Sequence, residues 1–265
     1  MYVGVQKDSK PESPAVVVNE ISKEKLEESG VQTAAAALEK VAGIDTRNFD
    51  KGQNSISVRG FDQQSIKVLI DGVPAYELYY GLVDLSVIPA ESIEKIVVTK
   101  GASSVLYGPN TMGGVVNIIT KKGDGKSKTT LATSYGDAKA FNYGLNHGMK
   151  IGKFKYNINY SNKSADGWVL SRKFNKNNTK TGIGTDYRED GGIRENSDYK
   201  KQSFVGNLGY EPTAAFKTNL SINWLNQLKG CPIQNMMGTA QLARFTDWNQ
   251  WQVSLAGENT LKLIS

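Results

Sequence analysis

Phe141-Asn-Tyr-Gly-Leu-Asn-His-Gly-Met149 alternates without a break. Phe141, Tyr143, Leu145, His147 and Met149 share one face, and Asn142, Gly144, Asn146 and Gly148 share the other. A period of two marks a β-strand with one greasy and one wet side. The pattern recurs downstream. Phe154, Tyr156, Ile158 and Tyr160 oppose Lys155, Asn157, Asn159 and Ser161, and Phe216, Leu220, Ile222 and Trp224 oppose Lys217, Asn219, Ser221 and Asn223. Weaker versions cover residues 129–135, 204–210 and 251–255.

A soluble sandwich alternates too, so three further details carry the reading. The strands can extend to ~9–11 residues, the length of a tilted membrane strand. Tyr135, Tyr160, Tyr210 and Trp224 lie near strand ends, where an interfacial aromatic girdle belongs. The links at 150–153 and 211–215 are tight, whereas 163–199 and 229–248 are long and rich in Gly, Asn, Lys and Asp. Short turns on one side and long loops on the other are the habit of outer-membrane barrels, although the short 136–139 link breaks the rule. Residues 124–265 therefore read as antiparallel transmembrane β-strands, about six or seven in number at roughly one strand per 20 residues.

Composition narrows the chemistry. The 265 residues carry a net charge of +6, split as −2 over residues 1–123 and +8 over 124–265. The lysines are scattered among Asn, Gly and Tyr rather than gathered into a block, which argues against nucleic acid. A single cysteine, Cys231, excludes an internal disulfide and an all-cysteine metal site; before Pro232 in a long loop, it is either a free thiol or paired outside these residues. His147, the single histidine, excludes zinc sites built on two or three imidazoles and sits on a greasy face near a strand end. No Ser-His-Asp set or metal cluster forms around it, so neither an enzyme nor a resident cofactor is expected. The start, Met1-Tyr2-Val3, lacks the basic-then-apolar plan of a secretory signal, which places any export signal outside this chain.

Residues 1–123 read differently, as a small α+β unit. A strand over 16–21 precedes a helix over 23–29, with Ser22 as N-cap and Gly30 as stop. Thr33 caps a second helix over 34–41, favoured by four alanines. Residues 48–54 have loop composition, and 55–59 and 66–70 are strands joined by a hairpin link at 60–65. Asp71 caps the turn before Gly72, residues 76–84 form a tyrosine-rich loop, and 93–99 and 113–120 are strands. Gly101-Ala-Ser-Ser-Val-Leu-Tyr-Gly108 has the glycine spacing of a phosphate loop but lacks the following Lys-Ser/Thr. Turn glycines explain it better.

Four blocks in this unit carry a resemblance: Asn54-Ser-Ile-Ser-Val-Arg-Gly-Phe61, Val68-Leu-Ile-Asp-Gly-Val-Pro74, Ile88-Pro-Ala-Glu-Ser-Ile-Glu-Lys-Ile-Val-Val-Thr-Lys-Gly101 running on to Gly108, and Gly113-Gly-Val-Val-Asn-Ile-Ile-Thr120. In this order and spacing they resemble the plug domain of TonB-dependent outer-membrane receptors. Ala42-Gly43 stands where the family usually has Pro-Gly, and Lys100-Gly101 where Arg-Gly is common; both keep the glycine. The resemblance implies a plug over 1–123 followed by the first strands of a 22-stranded barrel. At 265 residues the chain is too short to close such a barrel, which implies truncation.

The same resemblance implies a function and its residues. Such receptors sit in the outer membrane of Gram-negative bacteria and import scarce nutrients such as iron–siderophores or cobalamin, with TonB as the energy-coupling partner. Asn48, Asp50, Gln53 and Asn54 fall in the first apical plug loop, and Tyr76, Tyr79 and Tyr80 in the second. Both sets are expected to touch a siderophore- or cobalamin-like ligand, the tyrosines offering broad faces and a hydroxyl, or else simply packing on the inner barrel wall. Arg59 matches the arginine of the Val-Arg-Gly block and is expected to pair with barrel carboxylates in a gating role. Tyr2, Val3 and Val5 lie where the TonB-coupling segment meets the first plug strand, and part of that segment is expected to be missing. Two other readings stay open here: an isolated plug acting as a soluble ligand- or partner-binding module, and a soluble α+β enzyme.

Overall fold

The computed structural model describes residues 17–48, 54–75, 81–101, 107–174, 191–232 and 243–259. The N-terminal unit begins with β1 (Val17–Ser22), α1 (Lys23–Ser29) and α2 (Ala34–Leu38). It continues through β2 (Ile44–Asn48), β3 (Asn54–Val58), β4 (Phe61–Asp62), β5 (Ile66–Ile70), β6 (Val73–Pro74), β7 (Ile93–Lys100) and β8 (Gly114–Thr120). A five-stranded sheet runs in the order β1-β7-β8-β5-β6, with β5 and β8 parallel, and β2-β3-β4 form a separate three-stranded sheet. Both sheets and both helices drain into one apolar core, with Leu38, Ile56, Leu85, Ile93, Ile96 and Ile118 essentially without exposed surface.

The cap residues behave unequally. Gly30 ends α1 in the left-handed region, where a side chain would be strained. Thr33 Oγ1 accepts from the Ala36 amide at 3.1 Å. Ser22 offers no side-chain cap, and α1 starts without one. The second helix stops at Leu38, three residues short of its expected end, because the chain turns there into β2. Its first amides are satisfied from outside: Ala34 N–H donates to Ile88 O at 3.0 Å and Ala35 N–H to Leu85 O at 3.3 Å.

The expected hairpin between residues 55–59 and 66–70 does not form. β3 pairs with β2 and β4, whereas β5 pairs with β6 and β8 in the other sheet. A 3-10 turn at Gln63–Ser65 carries the chain between the sheets. Buried Gln63 stitches the crossing, with Oε1 accepting from Ile56 N–H and Nε2 donating to Val83 O. Asp71 also departs from expectation. Gly72 N–H donates to Asn117 Oδ1 at 3.1 Å, while the Asp71 carboxylate accepts from the Thr120 amide at 3.0 Å. Asn117, not Asp71, caps that turn.

From residue 128 the chain becomes a plain antiparallel meander: β9 (Lys128–Gly136), β10 (Ala140–Ile151), β11 (Phe154–Ala165), β12 (Tyr199–Tyr210), β13 (Phe216–Cys231) and β14 (Ala243–Asn259). Each strand pairs with the next in sequence, and the described sheet is open, with β9 and β14 at its edges. Gly152 adopts φ 58° in the two-residue turn closed by the Ile151–Phe154 pair, a conformation suited to a tight hairpin. The alternation read from the sequence is a real two-sidedness. Leu131, Leu145, Phe154, Ile158, Leu208, Trp251, Val253 and Leu255 face outward and are exposed. Asn146, Asn157, Asn159, Ser161, Ser203, Asn207, Ser221 and Asn223 face inward and are buried.

Several strands outrun their expected ends. Lys163, Ser164 and Ala165 belong to β11, Lys229 to Cys231 belong to β13, and β14 starts at Ala243. Cys231 is thus the buried last residue of a strand rather than a loop residue.

Candidate functional site

The inward face of the sheet is polar, and it is the face buried against the N-terminal unit. One charged cluster joins them at the end of the sheet that carries the long connections. Asp84, in the segment between β6 and β7, is fully enclosed. Its Oδ1 accepts from the Ser86 hydroxyl at 2.6 Å, the Ser86 amide at 3.1 Å and the Asn54 amide at 3.3 Å. Its Oδ2 faces Lys201 Nζ of β12 at 3.1 Å and Lys229 Nζ of β13 at 3.5 Å. Burial by itself would raise the Asp84 pKa; Lys201, Lys229 and the Ser86 hydroxyl overcome it and hold the group at about 2. Lys201 Nζ donates also to Ser86 Oγ at 2.5 Å. Nearby, Lys163 Nζ of β11 donates to the Gln32 carbonyl at 2.7 Å, and Asn142 Nδ2 of β10 to Gln32 Oε1 at 3.2 Å.

A second cluster closes the seam further along. Asp71 Oδ1 pairs with Lys122 Nζ at 2.9 Å, and Lys122 Nζ also donates to Asn207 Oδ1 at 3.1 Å. Asn207 Nδ2 in turn donates to Thr120 Oγ1 at 2.9 Å and Lys121 O at 3.0 Å, and Ser221 Oγ donates to Asn207 Oδ1 at 2.6 Å. Between the clusters, Asn146, Asn157, Asn159, Asn223 and Gln227 bury amide oxygens without a protein partner among the described residues. Buried amides of this kind take ordered water as partners. The seam is therefore held by a few charged and hydrogen-bonded points rather than by continuous apolar packing. Such contacts exchange for water at far less cost than a greasy interface.

The residues expected to act from sequence are distributed as follows. Asn54 opens β3 and, besides donating its amide to Asp84, lines the space beside Lys163, Lys201 and Lys229. Asn48 faces Asn54 across the β2–β3 pair. Asp50, Gln53, Tyr76, Tyr79, Tyr80, Tyr2, Val3 and Val5 lie outside the described residues. Arg59 sits in the turn after β3 with φ 51°, its amide donating to Gly43 O at 2.9 Å and its side chain exposed near Lys100. Among the described residues it forms no ion pair with a wall carboxylate; the charged links between unit and wall run through Asp84 and, at the surface, from Glu27 to Lys128 instead. His147 is held on the outward face between Thr129 Oγ1 at 2.8 Å and Tyr156 Oη at 3.0 Å.

With this geometry in place, comparison with known proteins is decisive. Residues 10–115 match the TonB-dependent Receptor Plug Domain family. Residues 10–115 are a plug domain of the TonB-dependent receptor kind. It is similar to the vitamin B12 transporter BtuB of Vibrio cholerae serotype O1, with 30% identity over 164 residues covering 61% of this chain and 27% of that protein. The Vibrio vulnificus BtuB is 32% identical over 122 residues, covering 45% and 20%. Among solved structures, the siderophore receptor PirA of Acinetobacter baumannii superposes with a TM-score of 0.69 at 22% identity, covering 98% of this chain and 39% of PirA. The ferric yersiniabactin uptake receptor FyuA of Yersinia pestis gives 0.66 at 16% identity, covering 94% and 39%. The structural likenesses speak for the fold alone. The chain spans about a quarter of the length of the Vibrio cholerae relative. The chain thus joins a TonB-dependent receptor plug domain to a meander of antiparallel strands, and the relatives named here are transporters and receptors.

Proposed function

We propose that residues 1–123 form the plug, and residues 124–265 the first wall strands, of a receptor that takes up a scarce nutrient such as an iron–siderophore or cobalamin with energy supplied through TonB. The observation that carries the reading is the two-faced sheet. Its exposed greasy side, with Leu145, Ile158, Leu208 and Val253, suits lipid, and its buried polar side clasps a separately cored domain. A stopper that must move has reason to be fastened by a few ion pairs and bridging amides. Asp84–Lys201–Lys229 and the Lys122–Asn207 bridge supply them. The Asp84 contacts weigh against a plug that works alone in solution, because it would leave that buried carboxylate without Lys201 and Lys229.

In this reading Asn48, Asp50, Gln53, Asn54, Tyr76, Tyr79 and Tyr80 meet the nutrient. Arg59 serves gating, and the segment around Tyr2, Val3 and Val5 adds as a strand to TonB. Among the described residues β1 bonds to β7 alone, which leaves one strand edge at the start of the plug available for pairing. Deletion of the gene, followed by uptake of labelled cobalamin and of labelled ferric siderophores, tests the proposal. Loss of one uptake, restored by the gene and abolished by a proton uncoupler, is expected. Unchanged uptake of both classes would refute it.

A further inference from the structure

The charged end of the seam holds more than an ionic fastening. A cavity of about 310 Å³ lies between plug and wall, lined among others by Asn54, Ser86, Lys163, Tyr199, Lys201 and Lys229. That is ample for a polyatomic ion or for one arm of a larger ligand, since a single water needs only roughly 10–15 Å³ on this measure. The three lysines approach it from adjacent strands, and Lys163 and Lys201 are direct cross-strand partners in the β11–β12 register. Like charges placed opposite one another on neighbouring strands repel, and here both are less than a tenth exposed.

The charges inside the seam do not balance. Asp84 uses a single oxygen, Oδ2, for both Lys201 and Lys229. Lys163 finds a carbonyl, Gln32 O, and no carboxylate within ion-pair distance among the described residues; Glu91 acts on it only from further away. Three ammonium groups against Asp84 and the more distant Glu91 leave a formal excess of one positive charge around an accessible space. Buried charge without a counter-ion is strongly unfavourable, and ammonium groups with free donors around a cavity are the chemistry of anion recognition.

We propose that this cavity is an oxyanion-binding site, taking a phosphate or carboxylate group between Lys163, Lys201 and Lys229. It lies at the long-loop end of the wall, with Trp168 and Ser197 also in its lining. The cavity shares Asn54 with the residues proposed to meet the nutrient, but the test below reads anion binding and not uptake.

The test uses the protein purified in detergent, with inorganic phosphate and citrate as separate probes at ionic strength held constant with chloride. Calorimetry reads the stoichiometry, and quenching of Trp168, identified by a Trp168→Phe control, reads the place. Saturable binding of phosphate to one site is expected, weakened at least about ten-fold by Lys163→Gln, in line with loss of a charge-assisted hydrogen bond. Lys163→Arg is expected to retain it, and Lys217→Gln, on an exposed stretch of β13, to leave it unchanged. Phosphate binding without citrate binding assigns a compact free ion; displacement of phosphate by citrate assigns a site open to a carboxylate arm of a larger ligand. Absence of saturable binding by either probe overturns the proposal. So does an equal effect of Lys163→Gln and Lys217→Gln. If Lys163→Gln fails to assemble, wild-type binding that fades in step with chloride concentration marks diffuse screening and also overturns it.

Discussion

Asp84 and Glu211 both titrate at about 2, and the physics behind the two is different. Asp84 is enclosed and gives up hydration, which raises its pKa, before Lys201 and Lys229 pull it down. Glu211, in the turn after β12, is lowered chiefly by hydrogen bonds from Lys150 and Lys155, at 2.6 and 2.8 Å, in a solvated setting. Removing the buried carboxylate strands two ammonium groups in the seam. Asp84→Asn is therefore expected to destabilise the plug–wall assembly by about 3–5 kcal/mol at pH 7, read as a lower denaturant midpoint. Because the folded-state pKa of Asp84 is depressed, its contribution is complete above the ordinary carboxylate range and is lost as pH falls through about 2. The gap between wild type and Asp84→Asn should accordingly close near pH 2. Glu211→Gln, at a half-buried turn whose Lys150 partner reaches solvent, is expected to cost less than Asp84→Asn, about 1 kcal/mol. A larger loss there, or a pH-independent gap for Asp84→Asn, would contradict this assignment.

At the level of elements, the joint between plug and wall is set by backbone shape. Gly123 has φ 76°, and a Cβ at that position would collide with the Tyr156 carbonyl of β11. Gly123→Ala is expected to destabilise by about 1–3 kcal/mol. It should do so by loosening β11 from the exit of the plug, seen as faster amide exchange across β10–β12; unchanged exchange would show that the joint yields freely. The six wall strands were legible because their outward residues are greasy and their inward ones polar. Lys163 and Lys229 were not, for a physical reason. At roughly 3.3 Å per residue, the 16 and 17 residues of β13 and β14 exceed a hydrocarbon core of about 30 Å. Beyond the bilayer the outward positions need not be apolar, so alternation fades while the strand continues. In the plug, apolar runs disclosed β5, β7 and β8, but not β2 or the sheet to which β3 belongs, since local pattern does not encode partner choice. Asp84 escaped notice because its meaning depends on lysines 117 and 145 residues downstream.

Across the whole molecule, the account rests on which medium each face of the wall meets. The plug carries its own apolar core, so the greasy side of the sheet is not needed to fold it and is left for lipid. The polar side, with Asn159 wholly buried, needs the plug and water. Spin labels placed singly at Leu145, Ile158, Leu208 and Val253, and at Asn159 and Asn223, in protein reconstituted into bilayers, report the medium at each face. The four outward labels are predicted to collide readily with oxygen dissolved in the lipid and poorly with a water-soluble nickel chelate, while the two inward labels are shielded from oxygen. Outward labels relaxed by the nickel chelate as strongly as a free label in water would contradict the placement of this wall in a membrane.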